Sequence, residues 1–382
     1  MLRRLGMVAL LVALGLAFSA SAFAQDEAVA EPVEFGIVCE LSGHGASHGA
    51  HWRDGILLAF QEINNAGGIL GHPIEYFLVD TESRPPVSVA AMEYAVTKEP
   101  FAVFGTIYSS STIANMATLE EAGILQLVGS TSTAIYEQGN ANVFATSPIN
   151  RNVFPWLVRW MVEDVGVSSI VMVYTNDEMG TDGREILEGA ALDLGVAFEG
   201  IAIQTGQADF AGEIARIQSM GVDTIFLYGH EEENARFMIQ LRTLGIDLQV
   251  VGYSPLLSAL ALDLGGEAME GVMGAATWSY QYPPIKGFAQ TFQLLYGETP
   301  SHDAMKGYVA VYTLKTAIEA VGAFDADAVR AWLHENTITT EMEPNVFLDT
   351  SYREDGTVDR DLFLVKIENG EQVIVEVISS QD

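Results

Sequence analysis

The feature that most restricts the fold is a rhythm that runs twice through the chain: short, continuous apolar runs separated by amphipathic stretches. Residues 34–39, 74–79, 102–107 and 124–128 are predicted strands. Residues 52–66, 87–97 and 112–122 are predicted helices, the first spaced through Ile56, Ala59, Phe60 and Ile63 and closed by Gly67-Gly68. Uninterrupted β-rich runs between helices point to a parallel sheet covered on both faces, since a strand buried on both sides has no need of polar alternation. After the polar, proline-punctuated stretch 146–151 the rhythm restarts, with strands at 169–174, 196–204, 223–228 and 249–252 and helices at 183–194, 210–220 and 233–244. A second break at Tyr280-Gln281-Tyr282-Pro283-Pro284 precedes helices at 285–296, 304–321 and 326–335. The tail pairs 361–365 with 372–377 as a β-hairpin turning at Asn369-Gly370. Two α/β units in 382 residues is the expectation.

Residues 1–24 stand outside this rhythm. Arg3 and Arg4 precede an apolar run from Leu5 to Phe18, and Ala22-Phe23-Ala24 supplies a small-x-small cleavage pattern, so a signal peptide cut before Gln25 is expected. The unbroken apolar run falls short of the ~20 residues of a membrane-spanning helix. Removing its two arginines leaves 16 basic against 51 acidic residues, a net charge of −35. Such a chain lacks the basic patches that nucleic-acid phosphates require. The acids are scattered rather than blocked, which suits a surface adapted to high external salt or an ordinary acidic exported protein. Cys39 has no partner for an intrachain disulfide, and its place in an apolar run points to a buried, inert thiol.

In open parallel sheets, ligands bind beyond the carboxyl ends of the strands. After strand 102–107 comes Tyr108-Ser109-Ser110-Ser111-Thr112 at a helix start; after 124–128 comes Gly129-Ser130-Thr131-Ser132-Thr133. Free amides, a positive dipole end and hydroxyls suit a carboxylate, while plain helix capping explains the same residues. The second unit offers Thr175-Asn176-Asp177-Glu178-Met179 and Gly229-His230-Glu231-Glu232-Glu233, where acids face a ligand's ammonium or simply complement a helix dipole. Tyr108, Met179, Tyr253 and Trp278 are candidates for an apolar wall or for ordinary packing.

Catalytic signatures are missing. The chain has no Gly-x-Ser-x-Gly elbow, no phosphate loop, no Gly-x-Gly-x-x-Gly after the first strand and no His-Glu-x-x-His. The stretch Ser42-Gly-His-Gly-Ala-Ser-His-Gly-Ala-His51 holds three of the seven histidines, but its glycines predict mostly loop and no acid or cysteine accompanies them. A metal site there is not favoured.

Leu41-Ser42-Gly43, the run 59–71 (AFQEINNAGGILG), 108–112 (YSSST), 123–132 (GILQLVGSTS), 206–217 (GQADFAGEIARI) and Glu270-Gly271 together make the mature chain resemble the periplasmic solute-binding proteins of branched-chain amino-acid ABC transport. The resemblance implies a type I two-lobe α/β fold, each lobe a parallel-type sheet flanked by helices, with three hinge crossovers and closure on a small ligand. It implies that Ser109 and Ser132 hold a carboxylate, that Ser130 contributes backbone contacts, and that His48 replaces a tyrosine beside the ligand. His44 and His51 are then expected at the surface or helix start. The chain departs from the family at Met179, at Glu231 and at Ser254, which stands where the family places its ammonium-binding acid. Tyr108 occupies a cysteine position of the family's disulfide.

The resulting expectation is a non-catalytic, exported binding protein with no cofactor that feeds an ABC permease in the inner membrane. Its lobes comprise residues 32–148 plus 280–338 and 151–278 plus 340–376. The ligand site comprises His48, Tyr108, Ser109, Ser130, Ser132, Met179, Glu231, Tyr253 and Ser254, and takes a hydrophobic amino acid or similar carboxylate. The alternatives are a urea, amide or aromatic-acid binder, a sensory ligand-binding domain, and a hydrolase using Ser109 with His48 as base.

Overall fold

The computed structural model of the protein describes residues 30–380, so the signal-peptide reading of residues 1–24 lies outside the described residues. Two sheets, each sandwiched by helices, form two lobes. The first is wholly parallel, with β1 (Val33–Cys39), β2 (Ile74–Asp80), β3 (Ala102–Phe104), β4 (Leu125–Val128) and β5 (Val143–Ala145) in the order β2-β1-β3-β4-β5. The second contains β6 (Ser169–Thr175), β7 (Ala197–Ile203), β8 (Thr224–Tyr228), β9 (Gln249–Tyr253) and β10 (Met273–Ala276). Its order across the parallel part, β7-β6-β8-β9-β10, repeats the winding of the first sheet. Strands β11 (Ser351–Tyr352) and β12 (Val358–Asp359) pair separately. The antiparallel hairpin β13 (Leu362–Glu368) and β14 (Glu371–Ile378) then extends the second sheet beside β10. Asn369 and Gly370 both carry positive φ in its turn, as the Asn-Gly pair predicts.

The central strands are buried on both faces, which is why their sequences show no alternation: β4 and β8 are buried at every position. Ser132, Asp177, Ser301 and Asp325 accept amide hydrogens at helix starts, and Gly123, Gly221 and Gly322 close helices in the left-handed region.

The structure differs from the sequence reading in several elements. The first long helix begins at Ala46 rather than at 52 and contains Gly49 and Gly55. Both glycines serve close packing: a Cβ at Gly49 would lie 1.9 Å from the carbonyl oxygen of Glu40, and one at Gly55 would lie 1.9 Å from that of Ala304. The helix Asn150–Trp160, with Pro155 inside it, occupies part of the stretch read as a polar break and the residues after it. Strands β5 and β10 are too short to stand out from their surroundings. Cys39 is fully buried, and burial lifts its thiol well above the usual range.

The helix Pro283–Tyr296 and the helix His302–Val321 follow the second sheet in sequence but pack on the helix Ala46–Asn65 of the first lobe. The chain therefore returns across the cleft. At the crossing, the buried Arg360 donates from Nη1 to Thr146 O (3.0 Å) and from Nε to Thr350 Oγ1 (2.9 Å), and its guanidinium lies 5.0 Å from the Trp278 ring centroid.

Candidate functional site

A cleft that encloses about 880 Å³, counting the space at its open mouth, lies between the two lobes. In both sheets strand order reverses direction at the strand that begins the lobe, between β1 and β3 and between β6 and β8. Loops diverge at such a point and leave a crevice. The walls come from the carboxyl ends on both sides: His44 and His48 follow β1, Tyr108, Ser109 and Ser110 follow β3, Asp177, Glu178 and Met179 follow β6, and His230 follows β8.

The floor is made by two helices drawn close by glycine. Gly55 meets the Ala304 backbone, and a Cβ at Gly307 would lie 2.6 Å from the carbonyl oxygen of Trp52. This contact sets His48, from the helix Ala46–Asn65, against Asp303, from the helix His302–Val321, with Nδ1 2.9 Å from Oδ2. His302 and Lys306 leave the same helix towards the same place. Lys306 Nζ donates to Asp303 Oδ1 (3.3 Å) and to Gly129 O (3.1 Å). From the second lobe Glu231, at the start of the helix Glu231–Thr243, reaches His302 Nδ1 at 2.8 Å and lies 3.5 Å from His48 Nδ1. All five side chains are buried.

Electrostatics follow from this geometry. Burial opposes charge on Asp303, Glu231 and His48, but opposite charges at contact distance outweigh it. Asp303 is held well below the usual carboxylate range: burial alone would raise it, and His302, Lys306 and His48 reverse that. Glu231 is lowered for the same reason, through His302 and His48. His48, which burial would push down, is raised to about 9 by its hydrogen bond to Asp303 and by the nearby carboxylates. Nearer the mouth, His230 Nε2 lies 2.7 Å from Asp177 Oδ2, and the pairing holds Asp177 low against the effect of burial. Tyr108 is stacked between the rings of His44 (5.2 Å) and His230 (4.9 Å), so aromatic rings from both lobes meet across the gap.

Six of the residues expected from sequence line the cleft: His48, Tyr108, Ser109, Met179, Tyr253 and Ser254. Ser109 accepts the Ser132 amide hydrogen at 3.3 Å, which leaves its own hydroxyl proton free to donate. Ser130 does not line the cleft; its hydroxyl donates to Ile107 O (2.8 Å) and lies 2.7 Å from Thr112 Oγ1, tying strand ends together inside the lobe. Ser132 Oγ crosses between lobes to donate to Glu178 Oε1 (3.0 Å). Glu231 is fully buried behind the wall, against His48 and His302. Tyr253 donates to Pro148 O (2.8 Å), and Ser254 is bonded to Thr277. Trp278 is packed against Arg360 and Phe347, away from the wall.

The three histidines of the opening stretch do not converge. His44 stands at the rim, whereas His51 is buried rather than at the surface, its Nδ1 accepting from the Ser301 amide (3.2 Å) and its ring against Phe292. Sequence reasoning missed His302, Asp303 and Lys306. The available signal was three titratable side chains within the first five positions of a helix whose next stretch, 307–311, is apolar, one of them among only five lysines in the chain.

A family model described as periplasmic binding protein matches residues 32–372. The leucine-, isoleucine-, valine-, threonine- and alanine-binding protein of Pseudomonas aeruginosa is 25% identical over 330 residues, covering 85% of this chain and 88% of that protein. A branched-chain amino acid transporter substrate-binding protein of Streptococcus pneumoniae, solved with isoleucine, has a TM-score of 0.80 at 21% identity, over 91% of this chain and 99% of that one. An ABC-transporter solute-binding protein of Rhodopseudomonas palustris, solved with 3,4-dihydroxybenzoic acid, has a TM-score of 0.83 at 19% identity, over 91% and 98%. At these identities the two solved structures speak to the fold.

Proposed function

Because the chain belongs to the periplasmic binding protein family, we propose that it captures a hydrophobic amino acid or related small carboxylate between its lobes and delivers it to an ABC permease in the inner membrane. The observation that carries this reading is the cleft itself, bounded by the strand tips of both lobes, with Ser109 and Ser110 opening the helix Ser109–Ala122 into it. The first-turn amides of that helix and the free proton of Ser109 suit a carboxylate. Met179, Tyr228 and Tyr253 supply the apolar side. An ammonium in the cleft meets Asp303, Asp177 and Glu178 first, with Glu231 acting through His48 and His302.

The lobes are taken as 32–148 plus 280–338 and 151–278 plus 340–376, joined by three crossovers that Arg360 pins together. Closure over the solute, rather than chemistry upon it, supplies affinity. Export through a cleaved signal peptide, and an acidic surface suited to high salt, belong to the same reading. Against the hydrolase alternative, no hydrogen bond joins Ser109 to His48 among the described residues: the Ser109 hydroxyl accepts from the Ser132 amide, and His48 Nδ1 is 2.9 Å from Asp303 Oδ2.

The test is a thermal-shift screen of the mature protein across amino acids, short amides and aromatic acids, followed by calorimetry on Ser109→Ala. Loss of about 1.5–3 kcal/mol for a carboxylate solute is expected. Unchanged binding removes Ser109 from the site. The ring stack of Tyr108 with His44 and His230 favours an aromatic acid as the second reading, and the same screen separates the two.

A further inference from the structure

We infer that the floor of the cleft is a binding site for a divalent transition-metal ion of the zinc class, held by His48 and Asp303 of the first lobe and Glu231 of the second. The three side chains present donor atoms that all lie within 4.8 Å of one another, and all three are buried. His48 Nδ1 is 2.9 Å from Asp303 Oδ2 and 3.5 Å from Glu231 Oε2. Two ligands of a tetrahedral zinc, each about 2.0–2.2 Å from the metal, are roughly 3.3–3.6 Å apart. The His48–Glu231 pair already has this spacing, the His48–Asp303 pair needs to open by a few tenths of an ångström, and the two carboxylates, which lie within 4.8 Å of each other, are brought to the same spacing by the ion between them.

The surroundings orient these atoms. Each carboxylate has one oxygen held from outside and the other turned towards His48. Glu231 Oε1 takes His302 Nδ1 (2.8 Å), and Asp303 Oδ1 takes Lys306 Nζ (3.3 Å) and lies 3.3 Å from His302 Nε2. Outer partners of this kind fix the direction of metal-ligating carboxylates. The inward oxygens are left to each other and to one imidazole nitrogen. Glu231 Oε2 is buried and has no hydrogen-bond partner among the described residues, with His48 Nδ1 at 3.5 Å. A buried anionic oxygen without a hydrogen-bond partner is costly; a metal ion that displaces the Nδ1 proton of His48 to solvent sits between the two carboxylates and removes that cost. A mixed set of imidazole and carboxylate ligands suits zinc and its neighbours rather than calcium or magnesium, which prefer oxygen alone.

His48 and Asp303 also line the cleft, so a fourth coordination position faces the solute space. Because the ligands come from both lobes, the ion binds the closed arrangement and not the open one. Metal and closure are then coupled, each strengthening the other. This goes beyond solute capture and is read without any solute.

The experiment uses the mature protein stripped with a chelator and titrated with zinc against a chromophoric competitor, and separately with cobalt followed by visible absorption. One tight equivalent of zinc is expected, with cobalt bands of a four-coordinate nitrogen–oxygen site. Glu231→Gln should weaken zinc by about 10–100-fold and His48→Ala by at least as much, while His72→Ala, outside the cleft, should leave it unchanged. If the wild-type protein shows no cobalt bands at one equivalent, the inference is overturned whether or not the variants fold. Zinc binding of equal strength in wild type, Glu231→Gln and His48→Ala overturns it too, and assigns the ion to the acidic surface.

Discussion

Glu40 offers the sharpest test of the site's construction. It follows β1, is fully buried, and accepts the amide hydrogens of Ile107 (3.2 Å) and Tyr108 (3.3 Å), bracing the loop that carries Ser109. Those bonds favour the carboxylate, but burial outweighs them, Asp303 adds repulsion, and the carboxyl is pushed up from 4.5 to about 7. A shift of about 2.5 pH units corresponds to about 3 kcal/mol. The sign follows from proton counts. Below about pH 4.5 the group is protonated in both states and its contribution to stability is fully present. Between 4.5 and 7 the unfolded chain releases the proton that the folded chain retains, so stability falls as pH rises, and above 7 the contribution is gone. Glu40→Gln keeps the shape and removes the titration. Urea unfolding of both proteins from pH 4.5 to 8 should show the variant gaining about 3 kcal/mol relative to wild type across that range. A difference that stays constant with pH would refute the reasoning, because the other buried acids and histidines cancel in the comparison.

Other perturbations reach other parts of the design. Gly55→Ala forces the helix Ala46–Asn65 off the Ala304 backbone and should cost about 3 kcal/mol or more in thermal or urea unfolding, with solute affinity falling as His48 leaves Asp303. Arg360→Met leaves Thr146 O without its donor and the Thr350 hydroxyl with Leu348 O alone, and should destabilise by about 1–3 kcal/mol; unfolding curves that coincide with wild type would deny Arg360 a pinning role. Raising salt from low to molar concentration should increase the melting temperature if the scattered acids repel one another, and a flat or falling curve would count against a high-salt surface.

Much of the architecture was legible in the residue order, because a strand buried on both faces must be continuously apolar and a helix packed on one side must be periodic. That rule located most of the strands and helices of both units, and the Asn369-Gly370 turn. It failed where tertiary packing overrode local preference: Gly49 looks like a loop residue until the Glu40 backbone it presses against is known. It also failed at β5 and β10, which are too short for a period to declare itself.

The candidate site divided in the same way. Residues just beyond strand ends, such as Tyr108, Ser109 and Met179, were reachable because strand-end position is a property of the chain read in order. The cluster at the floor was reachable only in part: His48 and Glu231 were expected at the site, but nothing tied them to each other or to His302, Asp303 and Lys306. His48, Glu231 and His302-Asp303 are separated by some 180 and 70 residues of sequence, and no local pattern relates them. They meet because two glycine-lined helices touch and the second lobe folds over them, and a charge's partner in space is decided by packing rather than by neighbours along the chain.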